Sequence, residues 1–213
     1  MNEVFENNTA SGTINNFVSK NHISLIIILA TILAAGSIFF AINFIKNSNN
    51  EKAGKIYNEL ISQDISTEEG KLTSEKLFTE LLNSYKKTGY TKIALINKAS
   101  LYAKDNMIDQ AIEYFSILRD LTNGFGGDEL LNKIANINLA RIYYSINDYD
   151  KALKALEKYD SSSNALIHEL LGDILSKQEK IELAKNQYLL AKELYTDDAS
   201  TEIVSMKITN LNL

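Results

Sequence analysis

Histidine and cysteine are the residues with which a chain most often binds zinc or attacks a carbonyl. This sequence has two of the first, His22 and His168, and none of the second. A helical zinc pair needs a second His four residues away, and neither histidine has one. Without thiols there is no thiolate nucleophile, no Cys-based zinc site and no disulfide. His22 stands at the edge of a long apolar run, where an interfacial role suffices; His168 falls inside a helical pattern, where a packing or surface role is expected. The cluster Gly124-Phe125-Gly126-Gly127 lacks the lysine and hydroxyl of a phosphate loop, and it joins two helical patterns instead of leaving a strand. It reads as a flexible turn. The run Asn147-Asp148-Tyr149-Asp150 offers alternating oxygens, but the later ligands and bidentate Glu of a calcium loop are missing, so it reads as turn and N-cap. Neither catalysis nor a metal nor a cofactor is expected.

Function then has to come from binding surfaces, and the elements that would build them repeat. Segments 92–121, 133–160 and 165–195 align on small residues, each as a helix, a short polar turn and a second helix. The first helix of each carries a small residue, Ala99, Ala140 or Gly172, and another follows twelve positions later at Ala111, Ala152 or Ala184. Four beyond that stands a bulky apolar residue, Phe115, Leu156 or Tyr188, and three after the first small residue comes Tyr102, Tyr143 or Leu175. Two antiparallel helices pack closely only where small side chains meet, and bulky ones then fill the gap toward the next pair. This is the pattern of tetratricopeptide (TPR) helix pairs. It departs from the usual motif in having Leu95, Asn136 and His168 at the tryptophan position and no terminal proline. The small anchors lie 41 residues apart between the first and second segments and 32 apart between the second and third, with the surplus in the loop Thr122–Glu129.

Two further helices are predicted before the repeats, over 51–63 and 71–87, with Ile56, Leu60, Phe78, Leu81 and Tyr85 as their apolar faces. A last helix over 200–209 would cap the stack. The inner face of the first helices would carry Ile93, Ile96, Ser100, Ile137, Arg141, Tyr144, Glu169 and Asp173. That apolar patch passes into polar and charged positions and could receive a helix or extended peptide.

Ahead of this domain, residues 23–45 contain no charge. As a helix they span about 34 Å, enough for a hydrocarbon core of about 30 Å. The run is longer than a signal-peptide core, and the preceding leader, residues 1–22, is acidic through Glu3 and Glu6. An uncleaved membrane anchor is expected. Within it Ala30, Ala34, Ser37 and Ala41 share one face, which would let a second membrane helix approach. Lys20 precedes the anchor while Lys46, Lys52 and Lys55 follow it, and the positive-inside rule on its own puts the C-terminal domain in the cytoplasm. The fold class expected is all-α: one N-terminal transmembrane helix followed by a TPR-like helix-pair solenoid over residues 46–213. Net charge is −5, with no basic stripe to track a phosphate backbone, so nucleic acid is not an expected partner.

The whole chain resembles the YfgM-like ancillary subunits of the SecYEG translocon. The resemblance rests on the acidic leader beginning MNEVFEN, one anchor, three degenerate helix pairs and the ending Met206-Lys207-Ile208-Thr209-Asn210-Leu211. It implies an inner-membrane protein with its TPR-like domain in the periplasm, opposite to the lysine bias. It also implies partners, the SecYEG-type translocon and a PpiD-type periplasmic chaperone, and a non-enzymatic adaptor or co-chaperone role in handling secreted proteins. A structural scaffold subunit of another bacterial envelope complex would share every one of these biophysical features.

Overall fold

In each aligned segment the turn between the two helices has one residue in the left-handed region: Asn106 (φ 58°), Asn147 (φ 61°) and Glu179 (φ 60°). The next amide then reaches back to the carbonyl five residues earlier, Met107 to Tyr102 (2.8 Å), Asp148 to Tyr143 (2.9 Å) and Lys180 to Leu175 (3.0 Å). These bonds close a Schellman-type helix end, and they recur in the register of the small residues. Asparagine tolerates this conformation, whereas glutamate pays a steric cost. Glu179→Gly is therefore expected to raise stability by about 0.5–1 kcal/mol, read as a higher melting temperature in detergent.

The computed structural model describes residues 10–211, with side chains from residue 17 onward; the leader carboxylates Glu3 and Glu6 lie outside the described residues. Helix α1 runs Ala10–Ile61, with non-helical backbone at Asn21 (φ −117°, ψ 15°). It continues through residues 46–50 because that stretch holds neither proline nor glycine. The chain divides into two compact units, one ending at Lys52 and the other beginning at Ala53.

In the first unit the large apolar side chains stand exposed, among them Ile27, Leu33 and Phe40. Among the described residues this is the one helix long and apolar enough to cross a membrane. Its polar side chains are satisfied internally, as hydrocarbon requires. Thr31 Oγ1 donates to the Ile28 carbonyl (2.7 Å), Ser37 Oγ to Leu33 (2.9 Å) and Asn43 Nδ2 to Phe39 (3.1 Å).

The second unit contains the end of α1, then α2 (Glu68–Ser84), α3 (Gly89–Lys104), α4 (Ile108–Thr122), α5 (Glu129–Ser145), α6 (Tyr149–Leu156), α7 (Ala165–Lys177), α8 (Ile181–Leu194) and α9 (Asp198–Asn210). Helix α2 starts three residues before the predicted 71 and ends at Ser84, because Thr67 caps it, its hydroxyl accepting from the Gly70 amide at 3.0 Å. Thr88, Asp128, Asp148, Asn164 and Asp197 cap α3, α5, α6, α7 and α9 in the same way. Packing is chiefly between sequence neighbours, as in a solenoid.

The core follows the predicted register. Ala99, Ala111, Ala140, Ala152, Ala184, Phe115, Leu156 and Tyr188 are all buried. The three residues at the tryptophan position, Leu95, Asn136 and His168, are buried as well. The two polar ones have partners: Asn136 Nδ2 donates to the Asn132 carbonyl (2.9 Å), and the His168 ring nitrogens lie 2.7 Å from Gln187 Oε1 and 2.6 Å from the Ser162 carbonyl oxygen. His168 is thus a packing residue joining α7, α8 and the preceding loop. Ahead of the repeats, Ala53, Ile56, Tyr57 and Leu60 of α1 join Phe78 and Leu81 of α2 in the first core cluster.

Candidate partner-binding site

Helices α3 and α5 leave a cleft between them of about 280 Å³, closed from below by α4. Its floor is apolar, made by Ala103, Ile108, Phe115 and Ile142, and its polar lining is Ser100, Asn138, Arg141 and Ser145. Asn138, Arg141, Ile142 and Ser145 fall at i, i+3, i+4 and i+7, so one face of α5 supplies one wall. Asn138 Nδ2 donates to the Ile134 carbonyl (2.8 Å) and Ser145 Oγ to Ile142 (2.7 Å), so each donates within its own helix. Arg141 is exposed, and its positive charge helps to lower the Glu169 carboxyl of α7.

Of the eight inner-face residues read from the sequence, Ser100 and Arg141 meet in this cleft. Ile93 is 44% exposed earlier on α3, and Ile96 is half-buried against the first core cluster. Ile137 is buried in the second cluster beside Ile167, Leu170 and Leu171, so its side chain is packed between helices. Tyr144 packs against the same cluster, its ring tilted on Tyr149 with centroids 5.9 Å apart.

Glu169 and Asp173 of α7 are half-buried and already occupied, by Lys207 of α9. Lys207 Nζ lies 2.7 Å from Glu169 Oε1 and 2.7 and 2.8 Å from the two Asp173 oxygens. Tyr195 donates to the other Glu169 oxygen (2.6 Å) and Tyr188 to Asp173 (2.8 Å), while the Lys207 ammonium sits 5.8 Å from the Tyr188 ring centroid. Burial alone would raise the Glu169 carboxyl, but the bonds from Lys207 and Tyr195 outweigh it and hold it below the ordinary glutamate range. Burial would lower Lys207, and its bonds to Asp173 and Glu169 outweigh that, so it is raised. Burial, then the carboxylate acceptors, push the Tyr188 and Tyr195 phenols up. Lys207 escaped sequence reasoning because it pairs across 34 and 38 positions. The available signal was a lone lysine among the apolar residues of a cap helix.

A pH dependence follows. A carboxyl held below its unfolded value stabilises fully above that value and loses the contribution as pH falls through the folded one. A raised lysine contributes fully below its unfolded value of about 10.4 and loses its effect only at higher pH. The latch is therefore constant through neutral pH and is lost in acid. Lys207→Met should melt below the parent chain at about pH 6, with the gap closing as the pH falls below the ordinary glutamate value of about 4.3. Thermal melts of both chains at several pH values check it.

The comparisons with known proteins converge on this architecture. The model of the tetratricopeptide repeat-like domain family matches residues 16–213. The chain belongs to that family. This TPR-like chain is 23% identical over 187 residues to a protein of Aggregatibacter actinomycetemcomitans named ancillary SecYEG translocon subunit, covering 87% of this chain and 88% of the relative. It is 28% identical over 123 residues to a protein of the same name from Buchnera aphidicola subsp. Schizaphis graminum (strain Sg), covering 57% of this chain and 61% of the relative. No solved structure matches the TPR-like chain.

Proposed function

We propose that the chain is a non-catalytic, membrane-anchored adaptor of the Sec translocon, with a TPR-like domain that receives a segment of another protein in the cleft between α3, α4 and α5. The observation that carries this reading is the open, apolar-floored cleft in an array of helix pairs that follows an exposed apolar helix. The two relatives named as ancillary SecYEG translocon subunits supply the partner. In this reading the anchor lies in the inner membrane, and the face of Ala30, Ala34, Ser37 and Ala41 accepts a translocon helix, since small side chains permit close approach in lipid. The domain stands in the periplasm beside a PpiD-type chaperone and takes part in handling secreted proteins. The lysines after the anchor argue for the other side, but they are a small margin around a single helix.

Two measurements test the reading. Protease added to intact spheroplasts should digest the domain while leaving cytoplasmic markers whole; a domain protected until lysis contradicts the periplasmic placement. Crosslinking followed by isolation from solubilised membranes should recover translocon subunits as the dominant partners. Their absence, with another envelope complex recovered instead, favours the scaffold alternative. Arg141→Glu reverses the charge at the cleft without touching the core, so it should change partner recovery several-fold; because Arg141 also favours the Glu169 carboxylate, a small drop in melting temperature should accompany it.

A further inference from the structure

Helix α9 closes the end of the stack, yet apolar packing holds it only lightly. It buries a single residue, Val204, whereas α7, also of 13 residues, buries six. Ile203 and Met206 of α9 stay exposed. The core beneath it is a small cluster of its own, in which Val204 meets Ala184, Tyr188 and Ala191 of α8, with Ile208 and Leu211 packed at the edge. So little apolar burial puts α9 among the segments that open locally before a chain unfolds as a whole.

Charge supplies the rest of the hold. The side chains of Lys207, Glu169 and Asp173 are 29%, 18% and 24% exposed, and among the described residues no other cation pairs with either carboxylate. Arg141 of α5 favours the Glu169 carboxylate through space, without a bond. The hydroxyls of Tyr195 and Tyr188, both from the α8 side, donate to Glu169 (2.6 Å) and Asp173 (2.8 Å), so the two acids keep their aim when Lys207 leaves. Undocking α9 therefore uncovers two half-buried carboxylates facing one arginine, beside the apolar strip of Ala184, Tyr188 and Ala191. Leaving such carboxylates without their cation is costly. The pattern that satisfies this surface is written in α9 itself: Val204, Lys207, Ile208 and Leu211 fall at i, i+3, i+4 and i+7, so one helix face carries the apolar contacts and the ammonium together.

We infer that the face of α7 and α8 beneath α9 is a second docking site, for an amphipathic helix of another protein with a lysine set in its apolar stripe, and that α9 is the lid that masks it. Such a helix lays its apolar stripe on this face as α9 does. It gains access only in the fraction of chains whose lid is open, and its apparent affinity is reduced by that fraction. The site is built from other helices than the cleft of α3, α4 and α5, and it stands whatever protein the cleft receives.

The test titrates the detergent-solubilised full chain into a fluorescent synthetic peptide of residues 197–211. Saturable binding is expected. Lys207→Met in the chain loosens the lid while leaving both carboxylates in place, so it should tighten peptide binding several-fold. The same change in the peptide should weaken binding about tenfold or more, and Glu169→Gln combined with Asp173→Asn in the chain should abolish the preference for the lysine peptide. In the unaltered chain, the α9 amides should exchange with deuterium at least about tenfold faster than those of α7. No saturable binding, binding equal for the parent and Lys207→Met chains, or binding indifferent to the peptide's lysine would each overturn the proposal. A common exchange rate for α7 and α9 would also overturn it, as would a dimer of the chain that the peptide disperses, since the site would then belong to a second copy.

Discussion

Phe115→Ala should lower the unfolding free energy by about 3–5 kcal/mol, the largest single effect expected for a substitution in this chain. Phe115 is 1% exposed and belongs to the core cluster that joins the end of α1 to α2, α3, α4 and α5. It is also part of the cleft floor, beside Ile108 and Ile142. Removing the ring takes away dispersion contacts that a backbone held between packed helices cannot close up to replace. Water entering the enlarged cleft would recover little, since most of the exposed lining there is apolar. Urea denaturation of the detergent-solubilised chain measures the change. A loss below about 1 kcal/mol would mean that the site collapses onto the gap, and that the floor is softer than the packing implies.

The second large effect is at Gly172, where a side chain would collide with its own repeat partner. A Cβ built there lies 2.5 Å from both Cδ1 and Cε1 of Tyr188, and the ring cannot simply swing away because its hydroxyl is bound to Asp173. Gly172→Leu is expected to cost about 1–3 kcal/mol by overpacking. Gly172→Ala is the sharper trial. On an exposed helix this change would gain about 1 kcal/mol from propensity. Here it should give no gain, or a loss, accompanied by weaker docking of α9 as Tyr188 shifts against Asp173 and Lys207. A stabilised Ala variant would contradict the tight contact between α7 and α8.

The register of the helix pairs was readable because its cause is local. Small residues at fixed separations must face each other for two helices to approach, and Ala99, Ala111, Ala140, Ala152 and Ala184 are all fully buried where that rule puts them. The run Asn147–Asp150 was readable for the same reason: Asn147 takes the left-handed turn, and Asp148 caps α6 through the Lys151 amide at 3.2 Å. The anchor's extent was less so. Nothing in residues 46–52 stops a helix, and only tertiary packing from Ala53 onward shows where the second compact unit begins.

The geometry of the inner face was legible in outline and not in detail. The three-and-four spacing along α3 and α5 identifies Ser100 and Arg141 as neighbours of one cleft. It does not show that Ile137 turns into the packing against α7, which depends on where the next pair lands. Nor does it show that Glu169 and Asp173 are neutralised from a helix more than thirty residues away. Pairings at that separation leave no periodic trace.

The absence of cysteine from the chain makes the central claim directly measurable. Ser100→Cys puts a sole thiol in the cleft, and Leu183→Cys puts one on exposed α8 outside it. Each variant, expressed as the full chain in native membranes, is labelled with a thiol-reactive photocrosslinker and irradiated. The account predicts adducts between position 100 and a translocon subunit or its client, several-fold stronger than any from position 183. Equal labelling from both positions, or adducts from position 100 that contain no translocon component or client, would contradict it.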